Sequence, residues 1–200
     1  MRSPASSVLS RSDDPVAAAL DRAAGLIEAD IRALAAANPV VLIDGRSGAG
    51  KTSLARRVAS RWPVAGPVQL IALDSIYPGW DGLDAGAERA LERILRPHGR
   101  GYHSTWNRWD WEQGAEAESY AVNPALGLII EGSGILTAAS AAIADVRVWV
   151  ESAETGRKAR ALARDGETYR PHWERWAAQE SRHIERDAPR ELATRIIDVP

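Results

Sequence analysis

The sequence predicts a three-layer α/β/α sandwich around a mostly parallel sheet. Three observations carry that expectation. Short apolar runs recur over residues 40–43, 68–73, 128–130, 146–150 and 196–197. Segments with helical periodicity lie between them. The run Val40-Val41-Leu42-Ile43 is continuous rather than alternating, as in a strand covered on both faces.

The elements follow in chain order. Residues 1–14, rich in Ser and Arg, read as a disordered tail, and 15–200 as a single domain with no internal repeat. Asp14 caps a helix that has Pro15 at its first position. Val16, Leu20, Ala23, Ile27, Ile31 and Leu34 form one apolar stripe along it, and Asn38-Pro39 ends it. Val40-Val41-Leu42-Ile43 is a buried strand. A glycine-rich loop comes at once, and residues 54–61 then read as helix. The run 68–73 is a second buried strand ending at Asp74. Residues 77–82 form a loop by their Pro and Gly content, and 85–95 are helical. The stretch 97–124 reads as short strands or a structured loop holding Trp106, Trp109 and Trp111. Leu128-Ile129-Ile130 is a strand ending at Glu131. Residues 135–144 read as helix, 146–150 as strand, 155–164 and 173–186 as helices, and Ile196-Ile197 as a last short strand.

Composition narrows the function classes. A formal net charge of -2 gives no basic field for nucleic acid, and 45% hydrophobic with 26% charged residues is an ordinary globular balance. The chain contains no Cys, which removes disulfides and Cys-ligated zinc. The N-terminal residues lack the apolar core of a signal peptide, and no stretch suits a membrane span. A cytoplasmic, soluble protein is the expectation. Its expected partner is a small-molecule acceptor, not nucleic acid or a membrane, with homo-oligomerisation left open. His98, His103, His172 and His183 show no metal spacing and read as surface or capping residues.

The chemistry is concentrated in Gly45-Arg46-Ser47-Gly48-Ala49-Gly50-Lys51-Thr52, a G-x-x-x-x-G-K-[ST] string placed between an apolar strand and a helix. Glycines let the backbone curl with its N–H groups inward, and the helix N-terminus adds positive potential. The fold expected from this motif is that of the P-loop nucleoside triphosphate hydrolases. Residues 45–52 with the following Ser53 form the expected ATP site. Lys51 reaches the β and γ phosphates, and the Thr52 hydroxyl ligates Mg²⁺. Of 25 Lys plus Arg, only Lys51 and Lys158 are lysine. A chain so biased to Arg still places a rotatable ammonium in this loop. Asp74 and Glu131 each end a strand, so both carboxylates are expected at the carboxyl edge of the sheet. There one could hold Mg²⁺ and the other take a proton from an acceptor hydroxyl. Arg157, Arg160 and Arg164 share one helical face and suit a lid over residues 157–172 that neutralises a transferring phosphoryl group. The plain alternative is a solvated basic face paired with Glu151 and Glu154.

Further segments carry a resemblance. Asp74-Ser75-Ile76-Tyr77 resembles the Asp-Ser-Phe-Tyr motif of uridine kinases. Ile129-Ile130-Glu131-Gly132-Ser133-Gly134-Ile135-Leu136 is similar to that family's strand with Glu-Gly, residues 157–165 to its arginine-rich lid, and residues 189–197 to its C-terminal stretch. The chain thus resembles the P-loop small-molecule kinases of the uridine kinase and phosphoribulokinase-like group, in order over residues 40–197. The resemblance implies that Asp74 is the general base, that Thr52 and Glu131 organise Mg²⁺, and that Arg160 and Arg164 act as lid arginines. It implies that Tyr77 and the Arg108-Trp109-Asp110 stretch contact the substrate, with Trp109 where the family has Tyr. The implied activity is ATP- and Mg²⁺-dependent phosphoryl transfer to a hydroxyl of a small metabolite such as a nucleoside. A non-catalytic nucleotide-binding regulator and a nucleotide kinase or NTPase remain as other readings.

Overall fold

The computed structural model describes residues 14–200, apart from the side chains at positions 164, 165 and 167; the expected tail over residues 1–13 lies outside the described residues. The chain order is α1 (Pro15–Ala33), β1 (Val40–Gly45), α2 (Lys51–Ser60), β2 (Val68–Ala72), α3 (Leu83–Ala90), α4 (Arg96–Gly99), β3 (Ser104–Asp110), β4 (Ala115–Val122), β5 (Gly127–Glu131), α5 (Ala138–Ala141), β6 (Val146–Ser152), α6 (Glu154–Tyr169), α7 (Trp173–Asp187), α8 (Pro189–Leu192) and β7 (Arg195–Val199). Five strands form one parallel sheet in the order β2-β5-β1-β6-β7.

Side chains of β1 alternate between two cores, as the period of two in a strand requires. Val40 and Leu42 pack with Leu128, Ile130, Tyr77, Leu83 and Ile94 on one face. Val41 and Ile43 pack with Ile129, Val148, Leu20, Ile27, Leu54 and Val58 on the other. Helices α1 and α2 therefore cover one side of the sheet. Helices α3 and α7 belong to the other, which makes the three layers. The α1 boundary follows the capping chemistry: the Asp14 carboxylate accepts from Val16 N at 2.9 Å, with Pro15 at the first helical position.

Four expectations change in detail. The strand over 68–73 is not buried on both faces. It is the sheet edge, with Leu70 39% exposed, and it ends at Ala72 in a 3₁₀ turn over Leu73–Ser75. The helix over 85–95 runs from 83 to 99. A π turn at Leu91–Leu95, in which Arg96 N bonds Leu91 O, carries it up to Pro97, which has no N–H for the ladder. The helix over 135–144 shrinks to the single turn of α5, capped by Thr137 and Ser140. Ile135 and Leu136 are instead buried in a loop whose amides bond the Asp44 carboxylate. The stretch 97–124 resolves into the antiparallel hairpin β3–β4, with a register shift between Asn107 and Trp109.

Candidate phosphate and acceptor site

The loop between β1 and α2 is shaped by three glycines with positive φ: Gly45 at 148°, Gly48 at 77° and Gly50 at 103°. Two of these also face backbone at close range. A Cβ on Gly45 would lie 2.4 Å from Val150 O, and one on Gly48 would lie 2.1 Å from Arg157 O. Gly50 caps α2 without any side-chain hydrogen bond, so the helix start presents backbone N–H groups and a positive dipole end. Lys51, 8% exposed, donates to Arg46 O at 3.1 Å and to Ser133 Oγ at 3.2 Å. Its ammonium thus folds back along the loop.

At the second position of α2, Thr52 Oγ1 donates to Glu131 Oε1 across 2.8 Å. Glu131 ends β5 beside β1, and only 3% of it is exposed. A hydroxyl and a carboxylate in contact are hard oxygen donors of the kind that hold Mg²⁺ together with phosphate oxygens and water. Among the described residues no group of three or more His, Cys, Asp or Glu side chains could hold a metal alone. A cation here fits this pair only with ligand oxygens completing its shell.

Asp74 stands on the 3₁₀ turn after β2 and is exposed to a cavity of about 630 Å³. The same cavity is lined by Ser47, Thr52, Arg56, Tyr77, Trp80, Trp111, Glu131, Tyr169 and Trp176. The parallel topology explains the gathering: the loop after β1, the end of β2 and the end of β5 all sit at the carboxyl edge of the sheet. Tyr77 is fully buried, with its hydroxyl donating to Ser133 O at 2.7 Å. Burial, then the carboxylates of Asp74, Asp44, Glu131 and Glu180, push its phenol well above the ordinary value, so it stays a protonated donor. Trp80 stacks with His172 at 4.3 Å and Tyr169 at 5.5 Å between ring centroids, and Trp111 lies tilted at 4.9 Å. Trp111 Nε1 donates to Asp74 O at 2.8 Å, tying the hairpin to the acidic turn.

The sequence-predicted residues separate into two groups. Lys51, Thr52, Glu131, Asp74 and Tyr77 come together. Arg108, Trp109 and Asp110 do not line the cavity. Arg108 is taken up by Glu118 at 2.8 Å and Asp110 at 3.3 Å, and Trp109 lies under the Arg89 guanidinium at 5.9 Å. The hydrogen bond from Arg108 holds the Glu118 carboxyl below the usual range. Trp111, at the head of the turn after β3, reaches the cavity instead.

The arginine face of α6 points at the loop rather than into the cavity. Arg157 is buried and donates to Ser152 O and Ser47 O, each at 3.0 Å. Burial draws its pKa below the ordinary guanidinium value. Arg160 donates to Gly48 O at 2.9 Å, Pro200 O at 2.9 Å and Ser152 Oγ. The Arg164 side chain lies outside the described residues. Among the described residues neither Arg157 nor Arg160 forms an ion pair with Glu151 or Glu154; Glu151 accepts from Trp149 Nε1 at 2.8 Å and faces Arg190 Nε at 3.8 Å. At Gly166, with φ 58° and ψ -137°, the helix breaks before Thr168 and Tyr169 reach the cavity.

Helix α7 supplies what the sequence did not single out. Arg46 points to it, donating to Ser181 Oγ at 2.8 Å, and Ser47 N donates to Glu180 Oε1 at 2.7 Å. His183 and His98 are both buried, which corrects their reading as surface or capping residues. His98 contacts Leu126 O at 2.8 Å; His183 contacts Asp44 at 3.0 Å and Asp187 at 2.8 Å.

No protein-family model and no curated protein sequence matches this chain. Solved structures do. A possible uridine kinase from Bacillus stearothermophilus superposes with a TM-score of 0.63 at 19% identity, over 91% of this chain and 98% of that one. A provisionally assigned fructose transport system kinase from Silicibacter sp. TM1040 gives 0.53 at 16% identity, over 88% and 98%. At these identities the likeness concerns the chain trace. This chain has the α/β fold of those two structures.

Proposed function

We propose that this protein is a kinase that transfers the γ-phosphoryl group of Mg-ATP to a hydroxyl of a small metabolite. The observation that carries the reading is the convergence of the Thr52–Glu131 pair and Asp74 on one aromatic-walled cavity, with Lys51 next to Thr52 and bonded to Ser133. Backbone N–H groups at the start of α2, within the 45–53 segment, cradle the phosphates, and Lys51 keeps its bond to Ser133 while its remaining N–H donors meet the β and γ oxygens. Thr52 and Glu131 hold Mg²⁺, which supplies charge neutralisation at the phosphates when bound. Asp74, facing the cavity from the turn after β2, orients the acceptor hydroxyl and takes its proton. Arg157 and Arg160 serve this chemistry indirectly by gripping the Ser47 and Gly48 carbonyls and so fixing the loop.

The acceptor lies against Trp80, Trp111 and Trp176, with Tyr77 behind them. A planar ring such as a nucleoside base fits a wall of this kind. The likeness to a possible uridine kinase supports an acceptor of that class. The segment 157–172, broken at Gly166, closes over the bound substrates as a lid.

The test is label transfer from γ-labelled ATP to a panel of nucleosides and hydroxylated vitamin precursors. Label on one acceptor hydroxyl, dependent on Mg²⁺, is the expected result. Nucleotide binding without transfer to any acceptor would favour a non-catalytic nucleotide-binding regulator. Transfer to water or to a nucleoside monophosphate would favour an NTPase or a nucleotide kinase.

A further inference from the structure

We propose that Glu180 is a positioning residue for the phosphate site: through Ser133 it aims Lys51, and through the Ser47 amide it holds the first half of the loop in its working curve. The inference rests on the phosphate-site reading above and adds a residue from α7 to it.

Glu180 is 3% exposed and lies 133 positions from Ser47 in the chain. A carboxylate so deeply buried is strongly unfavourable unless donors surround it. The donors here belong to the phosphate site. Oε1 accepts from Ser47 N at 2.7 Å, from Ser133 Oγ at 3.0 Å and from Trp176 Nε1 at 3.1 Å. Oε2 faces Arg46 Nε at 3.4 Å. Residues 46 and 47 of the loop are therefore both tied to one carboxylate.

The link to Lys51 has a direction. Lys51 donates to Ser133 Oγ at 3.2 Å. Ser133 has a single hydroxyl proton, and its acceptors are Glu180 Oε1 and Gly45 O, each at 3.0 Å. With Lys51 as donor on one side and the carboxylate as acceptor on the other, the chain runs Lys51 to Ser133 to Glu180. A charged acceptor polarises the hydroxyl and makes Oγ a better acceptor for the ammonium. Lys51 is thereby held beside the loop before phosphate arrives.

The same face of α7 holds the acceptor wall. Trp176, one turn before Glu180, lines the cavity, and Gln179 donates to Trp80 O at 2.7 Å. Glu180 thus sets the loop in register with the wall that the acceptor meets.

The test is calorimetric titration of magnesium adenylyl imidodiphosphate into the wild type, Glu180→Ala, Glu180→Gln and Ser133→Ala, each at a temperature where the variant is fully folded. Gln keeps an oxygen for Ser47 N and Ser133 Oγ; Ala keeps none. Affinity is expected to fall about tenfold in Glu180→Ala and in Ser133→Ala, the scale of one lost hydrogen bond to a charged group. Glu180→Gln is expected within about threefold of the wild type, as a rescue by geometry. Glu180→Ala with a lowered melting temperature but unchanged affinity would overturn the proposal, leaving Glu180 a structural residue. Glu180→Gln as weak as Glu180→Ala would overturn it as well. Should Glu180→Ala fail to fold, Ser133→Ala decides, because Glu180 keeps Ser47 N, Trp176 and Arg46 there; unchanged affinity is then fatal to the proposal. A wild type that binds no nucleotide overturns the phosphate site itself, and this inference with it.

Discussion

His183 Nε2 lies 3.0 Å from Asp44 Oδ2, joining α7 to the strand that feeds the glycine-rich loop. The other ring nitrogen, Nδ1, meets Asp187 Oδ2 at 2.8 Å. Asp44 also accepts from the amides of Gly45, Gly134 and Leu136, so one buried carboxylate gathers the ends of β1, β5 and α7.

This geometry predicts a pH-dependent stability. Burial opposes the charged imidazole, but the Asp44 and Asp187 bonds outweigh it, and the His183 pKa is raised above 6.5. A raised pKa gives stability that is complete below the unfolded value and lost as pH rises through the folded one. Asp187 acts in the opposite sense. Burial raises it, bonds from Arg186 and His183 outweigh that, and its carboxyl is held below 3.8, so its share is lost only in acid. The stability gap between wild type and His183→Gln should be about 2 to 3 kcal/mol near pH 6. It should shrink steadily toward about pH 9, read by thermal melts across that range. A gap that is flat or grows with pH would mean that the imidazole is neutral in the fold.

Gly48 predicts a sharp contrast with Gly79. Both have φ near 77°, at 77° and 76°, but a Cβ on Gly48 meets Arg157 O at 2.1 Å while one on Gly79 meets nothing within 4 Å. Gly79→Ala should cost about 1 to 2 kcal/mol from the left-handed backbone alone. Gly48→Ala should cost about 2 to 5 kcal/mol, because the clash adds to it. Urea unfolding of the two variants measures the difference, and equal costs would contradict the close loop–α6 packing.

These contacts also explain which parts were legible in the sequence. Gly45, Gly50, Lys51 and Thr52 sit at fixed offsets after the apolar residues 40–43, so strand, loop and helix are encoded within a dozen positions. Glu131 and Asp74 follow from strand ends. The cavity wall is different. Trp80, Trp111, Tyr169 and Trp176 come from four separate segments and meet only in the fold. Arg108, Trp109 and Asp110, which the resemblance assigns to the substrate, lie on the hairpin and do not line the cavity, with Arg108 taken up by Glu118 and Asp110. The α6 spacing correctly put Arg157 and Arg160 on one face. Their targets, the carbonyls of Ser47 and Gly48, depend on how α6 packs and leave no local trace. Glu180 and His183 look like ordinary polar positions of a charged amphipathic helix until α7 is docked.

Asp74→Asn should keep Mg-ATP binding within a few fold and lose most phosphoryl transfer. Asparagine preserves size and can orient a hydroxyl but takes no proton. The loss should be about 10²- to 10⁴-fold, nearer the lower figure because phosphoryl transfer depends largely on positioning. Steady-state assay with the identified acceptor measures it. Full turnover in the variant would remove Asp74 from the base role, and loss through Glu131→Gln alone would exchange the two carboxylates.

The break at Gly166 predicts closure of the segment that follows α6. Hydrogen exchange over residues 155–172 should slow when magnesium adenylyl imidodiphosphate is added, most strongly from Gly166 onward. The part carrying Arg157 and Arg160 is already bound to the loop and should change least. Uniform exchange with and without nucleotide would contradict a lid.

The proposed function requires Lys51, held beside the loop at 3.2 Å from Ser133 Oγ, to be the ammonium that meets the triphosphate. Its most direct test is titration of Mg-ATP into wild type and Lys51→Ala at matched folded fraction. The wild type should bind, and the variant should bind at least about tenfold more weakly, as expected when a charge-assisted contact to phosphate is removed. Equal affinity in the two proteins would contradict the phosphate site.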